Sequence, residues 1–376
     1  MTTRSLPQAP PPARGRGSQT NPANRFESVE VTPDGDHLDA LHADHPRGRR
    51  VDTELLPDRT RSVINPVDSP DLAFRWTLNP YRGCEHGCSY CYARPTHEYL
   101  GLSSGLDFET RLFAKHDAPA LLRRELGRPG WRGEPIVMSG ITDPYQPVEA
   151  ALRITRSCLE VMAECRQPVG IVTKNRLVVR DADLLADLAA HGAARVALSL
   201  TTLDHRLAAA MEPRASSPRD RLRAMQTLAE RGIPVVAMIA PVIPGLNDRE
   251  IPALLAAARD AGARFAGWVL LRLPWQNRDL FLAWLHRAVP ERASRIEGLI
   301  RSTRGGGLYE SAWSRRRRGR GPFADQIART MQVFRRRHGL DAPPPPLRAD
   351  AFRRPEAPGQ LRLFDAVPPA PADEPP

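Results

Sequence analysis

The sequence predicts an α/β chain whose core is a partial (β/α)6 barrel of the TIM type, flanked by N- and C-terminal extensions without regular structure. Three observations lead there. Six short apolar runs each precede a stretch with helical periodicity. The runs are continuously apolar rather than alternating, as strands covered on both faces require, so the strands are expected to be parallel with right-handed crossovers. Polar residues collect just after the runs, at the end of a parallel barrel where ligands bind. Six units instead of eight leave such a barrel incomplete.

Residues 1–60 are rich in Pro, Gly, Asp and Arg and show little periodicity, so they are expected to form a largely disordered extension. The barrel is expected over residues 61–300. Its first strand, 72–78, runs into Asn79-Pro80; a helix follows the next loop and another spans 118–126. The second unit pairs a strand at 135–139 with a helix at 149–165. The third pairs 169–173 with 181–191, and the fourth 195–201 with 218–231. The fifth pairs 234–241 with 248–261, and the sixth 265–272 with 278–288.

Between the first strand and its helix lies Asn79-Pro80-Tyr81-Arg82-Gly83-Cys84-Glu85-His86-Gly87-Cys88-Ser89-Tyr90-Cys91. It holds three of the five cysteines, spaced C-x3-C-x2-C. Three thiolates in one loop hold three corners of a cubane iron–sulfur cluster and leave the fourth iron for a substrate or cofactor to chelate. Gly83 and Gly87 let the loop wind tightly around a bulky body, and Tyr90 sets an aromatic face beside it. Two other readings use the same cysteines. A structural zinc would need His86 or His97 as fourth ligand, with no second cysteine pair following. A disulfide would need an oxidising compartment. The N-terminus has no apolar signal region and no run approaches the roughly 20 apolar residues of a membrane span, so the expected location is the cytoplasm.

The strand ends supply further candidates. Lysine occurs only at Lys115 and Lys174 in a chain otherwise full of arginine. A lysine directly after the third strand suggests a site that needs a compact ammonium, although an ordinary strand-end lysine looks the same. Ser199 and Thr201 alternate along the fourth strand and so face one side, within reach of a ribose. Cys158 and Cys165 sit two turns apart on one helix and read as buried core thiols.

The cysteine spacing with an aromatic before the last cysteine resembles the radical S-adenosylmethionine (SAM) superfamily. Thr173-Lys174, Ser199, Met211-Glu212-Pro213-Arg214 and residues 241–248 resemble its spore photoproduct lyase and DNA-repair-photolyase-like group. Residues 79–99, 139–149 and 177–185 are similar to a bacterial branch of that group. The resemblance covers roughly residues 60–340. It implies a [4Fe-4S] cluster on Cys84, Cys88 and Cys91, with SAM contacts from Tyr90, Lys174 and Ser199. It also implies reduction by a donor such as flavodoxin or ferredoxin. The implied reaction cleaves SAM reductively to methionine and a 5′-deoxyadenosyl radical, which removes hydrogen from the substrate. One departure stands out. The lyase proper carries a hydrogen-returning cysteine after its second strand, and residues 137–143 here contain none. Tyr145 is the nearby candidate for that role, and photoproduct repair itself is not assigned.

The net charge of +11 favours polyanionic partners, although GC-rich coding also raises arginine. Residues 301–340 concentrate the effect, with Arg315 to Arg318, Arg320 and Arg335 to Arg337 interleaved with Tyr309, Trp313 and Phe323. Arginines with aromatics hold phosphates and stack on bases, so this segment is a candidate nucleic-acid binder at the barrel mouth. A solvated basic face is the alternative. Residues 341–376 are Pro- and Ala-rich and expected to be disordered. Within them Gln360, Leu361, Leu363 and Phe364 form a Gln-Leu-x-Leu-Phe cluster that resembles the peptide by which bacterial repair proteins dock on the DNA sliding clamp. The expectation is a cytoplasmic radical SAM enzyme acting on nucleic acid. A protein, tRNA or metabolite substrate, or an iron–sulfur nucleic-acid binder without turnover, remain alternatives.

Overall fold

The computed structural model describes residues 10–27, 34–138 and 140–355. In chain order its strands are β1 (Glu54–Pro57), β2 (Ile64–Pro66), β3 (Trp76–Leu78), β4 (Tyr81–Arg82), β5 (Arg111–Ala114), β6 (Ile136–Met138), β7 (Val169–Thr173), β8 (Ala194–Ser199), β9 (Val235–Val242) and β10 (Phe265–Leu270). Seven of them form one sheet in the order β10-β9-β8-β7-β6-β3-β2. The pairs from β3 through β10 are parallel. These are the six parallel strands of the expected partial barrel. β2 adds an antiparallel edge beside β3. The sheet ends at β2 and β10, so the barrel stays open.

The central strands are largely buried on both faces because they are mostly apolar. Ile136, Val137 and Met138 of β6, and Val169 and Ile171 of β7, are all buried. Each such side chain contributes about 1.5–3 kcal/mol relative to exposure. The helices Ile154–Cys165, Ala182–Ala190, Pro218–Glu230 and Ile251–Asp260 cover the outside. Their starts follow local chemistry. Ser217 caps Pro218–Glu230 by accepting from the Asp220 amide, with a proline at the first position. The helix expected over 149–165 is two helices, Glu149–Leu152 and Ile154–Cys165. Arg153 takes φ 55° between them. The Glu149 carboxylate folds back to accept from the Thr155 and Arg156 amides at 3.0 and 3.3 Å, which starts a second helix in place of continuing the first.

The N-terminal region departs from expectation. Residues 10–27 lie against the barrel, a helix spans Gly35–Asp44, and β1 pairs with β5. Buried polar contacts, not apolar periodicity, hold this region. Arg16 donates to the carbonyls of Glu109 and Val51 at 2.8 and 2.7 Å. Gly17 and Ser18 amides donate to the Glu109 carboxylate at 2.9 and 2.7 Å. β5 is flanked by β1 and by antiparallel β4, which opens the cysteine loop.

The tail also begins later than composition suggests. The Arg348 amide donates to the Gly192 carbonyl at 3.0 Å, and Phe352 packs on the main core. Gln360, Leu361, Leu363 and Phe364 lie outside the described residues.

The basic segment closes the barrel's open side. Arg318 stacks on Trp268 of β10 at 4.4 Å, and Arg304 donates to the Leu271 carbonyl. From there the chain reaches Asp71, between β2 and β3, which accepts from the Ser314 amide at 2.6 Å and from Arg316 Nε at 2.7 Å. Residues 304–318 thus bridge the two edges of the sheet. Among the described residues no helix is long and apolar enough to cross a membrane.

Candidate functional site

The cysteine loop leaves β3 at the carboxyl end of the sheet and is tied down on several sides. The Cys84 amide donates to the Phe108 carbonyl, and the Ser89 amide to the Met211 carbonyl, both at 2.9 Å. Arg94 is fully buried; its Nε and Nη2 donate to the Cys88 carbonyl at 3.1 and 2.9 Å, and Nη2 pairs with Glu109 at 2.5 Å. Asn277, just beyond β10, donates to the Cys91 carbonyl at 2.6 Å. Gly87 takes φ 64°, and a Cβ there would stand 2.6 Å from Glu109 Oε2. Outside it lies the N-terminal strap. A Cβ on Gly17 would meet the Gly87 carbonyl oxygen at 1.7 Å, so only glycine permits this approach.

All three loop cysteines are free thiols, with Cys84 and Cys88 buried and Cys91 half-buried. Burial pushes the Cys84 thiol well up, and Asp143 and the other two cysteines push the same way. Burial and Glu212 raise Cys88, while Lys174 opposes them. Burial raises Cys91 against the pull of Arg94. Three thiols that disfavour ionisation together suit a cationic body, because metal coordination deprotonates a thiol outright. Among the described residues no group of three His, Cys, Asp or Glu side chains converges on a single metal ion. Three thiols in one loop, with the other two cysteines in the main core, are a donor set that fits a cluster in which each thiolate meets a different iron.

Behind the loop lies a charged hub: the sequence marked Tyr90, Lys174, Thr201 and the Met211–Arg214 block separately, and the fold joins them around Glu212. Glu212 is buried and receives four partners. Thr201 Oγ1 donates to it at 2.7 Å, and the Tyr90 hydroxyl and Arg221 guanidinium donate as well. Lys174 Nζ stands 3.8 Å from Oε1 and 5.7 Å above the Tyr90 ring centroid. Burial opposes the charge on Glu212, yet Arg221 and Lys174 hold its carboxyl down at about 2. Tyr90, Lys174 and Thr201 are thus brought together next to Cys88, and Ser199 is buried beside them, its carbonyl accepting from Arg221 Nη1 at 3.1 Å. Thr201 lies beyond the end of β8, and its hydroxyl proton is committed to Glu212.

Asp143 joins three strand ends. Its carboxylate accepts from Thr173 Oγ1 at 2.7 Å and from the Lys174 amide at 2.8 Å, and stands 3.3 Å from His86 Nδ1. Burial works against its charge, but His86 and Thr173 keep its pKa below the usual value.

Tyr145 is not at this site. It is fully buried in the main core, with Arg180 5.9 Å from its ring, rather than in the cluster around Cys88 and Tyr90. The Asp143 side chain caps the Tyr145 amide at 2.9 Å and turns the phenol inward. Cys158 and Cys165 lie in the same core, as expected of structural thiols.

An open barrel of six parallel strands, with three free thiols in the loop after its first parallel strand, defines a class of iron–sulfur enzymes that bind a nucleotide at the strand ends. A family model described as the radical SAM superfamily matches residues 78–258, and the chain belongs to that superfamily. It is a radical SAM enzyme, and its cofactors are SAM and a [4Fe-4S] cluster. The chain is 38% identical over 244 residues to an uncharacterised protein of Mycobacterium tuberculosis, covering 64% of this chain and 72% of that one. It is 30% identical over 197 residues to an uncharacterised protein of Methanocaldococcus jannaschii, covering 52% and 71%. Among solved structures, a spore photoproduct lyase variant with bound AdoMet and dinucleoside spore photoproduct superposes with TM-score 0.54 at 16% identity, covering 82% of this chain and 93% of that chain. That likeness is one of fold.

Proposed function

We infer that the enzyme abstracts hydrogen from a nucleic acid, in DNA repair or maintenance. The observation that carries this reading is the position of the Arg- and Trp-bearing segment, which bridges β10 and Asp71 beside the thiol loop. The likeness in fold to a lyase whose structure holds a dinucleoside lesion agrees with it.

The residues divide the work. Cys84, Cys88 and Cys91 supply three thiolates. A cluster held by them would supply the electron for reductive cleavage of SAM. Lys174 offers its ammonium to the SAM carboxylate from a position set by Glu212. Ser199 and Thr201 face the ribose. Because Thr201 already donates to Glu212, it serves a ribose hydroxyl as acceptor. Tyr90 presents its ring to the adenine, its hydroxyl pinned by Glu212. Ile243, Leu271, Phe281 and Trp284 pack in the cluster of Cys88 and Tyr90 and keep water from that side. A reduced flavodoxin or ferredoxin in the cytoplasm provides electrons.

The test is anaerobic reconstitution with dithionite and SAM, followed by incubation with deuterated DNA and deuterated total RNA. Deuterium in 5′-deoxyadenosine from a polymer supports the reading. Cleavage of SAM with no deuterium from either polymer rejects a nucleic-acid substrate.

A further inference from the structure

Single exposed hydrophobic side chains are common, but here they cluster and share a character. Among the described residues those exposed are Phe26, Leu55, Tyr92, Tyr99, Trp275, Trp313 and Val333. Five of these are aromatic, and they fall into two groups, each built with arginine. In the first, Arg25 stacks on Trp275 at 4.3 Å and on Phe26 at 5.1 Å, and Phe26 meets Tyr99 with centroids 5.0 Å apart. In the second, Arg272 lies 4.9 Å from the Tyr92 ring and Arg316 lies 3.9 Å from the Trp313 ring. Arg317 sits between them, close enough for its charge to act on Arg272, Arg316 and Tyr92.

Both groups border the thiol loop. Tyr92 directly follows Cys91, and Tyr99 lies in the last turn of the segment Arg94–Leu100. Glu98 of that turn pairs with Arg25 at 2.6 Å and accepts from Gln276 at 2.5 Å, which fastens the strap, the thiol loop and the loop after β10 into one rim. The rim is also costly to build. Trp275 takes φ 48°, a backbone state rarely open to a bulky residue, and still exposes half its ring. Asp71 and Glu98 neutralise Arg316 and Arg25 in part. Arg272 has no acidic partner among the described residues, and its Nε lacks a hydrogen-bond partner there.

We propose that this rim binds an unpaired stretch of nucleic acid, with bases stacked on Trp275 and Trp313 and phosphates held by Arg272 and Arg317. The chemistry selects this partner. Exposed flat rings stack on base faces, which a duplex buries within itself, and stacking beside arginine is the common means of gripping single strands. An acidic peptide satisfies the arginines but leaves five rings unused. The proposal rests on the nucleic-acid reading above and narrows it to single strands or bases drawn out of a duplex.

The experiment uses the reconstituted full chain and a fluorescein-labelled 20-mer, offered anaerobically as single-stranded DNA, as RNA and as the DNA duplex, with anisotropy read across KCl concentrations. Single strands are expected to bind at least about tenfold tighter than the duplex. Trp275→Ala and Trp313→Ala are each expected to weaken single-strand binding roughly 5- to 100-fold with the salt slope unchanged. Trp275→Phe is expected to recover most of that loss, and iron content and melting temperature check that each variant folds. Arg272→Gln is expected to lower the salt slope by about one. Equal affinity for duplex and single strand, or tryptophan variants that bind like the parent, overturns the rim. Deuterium transfer separates the two readings. Transfer that persists while the rim fails leaves the substrate class standing, whereas intact rim binding without transfer removes the substrate class and keeps the surface.

Discussion

Glu212→Gln isolates the hub behind the thiol loop. The parent carboxylate faces four donors, from Tyr90, Thr201, Arg221 and Lys174. Glutamine keeps one acceptor oxygen and turns an NH2 toward donors, so Arg221, itself buried, loses its counter-charge. Breaking a buried ion pair from one side costs about 3–5 kcal/mol. At roughly 2–4 °C per kcal/mol this is a fall in Tm of about 6–20 °C. Lys174 also loses its fixed point, and KM for SAM is expected to rise roughly tenfold, as for loss of one charge-assisted hydrogen bond, with a smaller change in kcat. The pH dependence follows from the sign of the shift. A carboxyl lowered from ~4.3 in the unfolded chain to about 2 stabilises the fold fully above the higher value and loses that contribution as pH falls toward the lower one. The deficit of the variant is therefore flat from pH 6 to 9 and shrinks only in acid. Anaerobic melting and SAM-cleavage kinetics at several pH values measure all three. A Tm within about 2 °C of the parent, with KM unchanged, would refute the hub.

Further outcomes follow from the same geometry. Alanine at Cys84, Cys88 or Cys91 is expected to abolish bound iron and SAM cleavage, whereas Cys158→Ala keeps both at a cost of about 1 kcal/mol, as a core thiol should; iron assay and Tm decide. Lys174→Ala is expected to raise KM for SAM about 10- to 100-fold, and arginine at the same place does not restore it, because a wide fork replaces a compact charge. Gly17→Ala drives a methyl into the Gly87 carbonyl and is expected to lift the strap, shortening the life of the cluster in air several-fold; bleaching followed by visible absorbance tests this, and parental decay counts against it. A peptide of residues 356–376 is expected to bind the DNA sliding clamp and to lose at least about tenfold on Gln360→Ala with Phe364→Ala, read by anisotropy.

The barrel was legible because its signal is local. Runs such as 169–173 are apolar up to the closing Thr173 and are followed by helical spacing, and the sheet reproduces them nearly residue for residue. The thiol loop was legible because three cysteines crowd into one turn. What escaped was held by contacts distant in sequence. Arg16 and Glu109 are buried together though 93 positions apart, and no window of sequence reveals that pairing. Glu212 likewise stands in a block picked out only by resemblance, and its role at the centre of the hub emerges when Tyr90 of the cysteine loop and Lys174 beyond β7 arrive around it. Tyr145 misled for the opposite reason. Its position after a strand suggested the mouth, but a single Asx turn rotated it into the interior.

The open side of the barrel has one more consequence. A fully closed cylinder has its bore dictated by the hydrogen-bond ladder, and nothing short of unfolding alters it. Among the described residues no strand joins β2 to β10, and the gap is spanned by Asp71 with Ser314 and Arg316. The aperture is therefore set by a handful of polar side-chain contacts, while the strand ladder beneath fixes only the shape of the sheet.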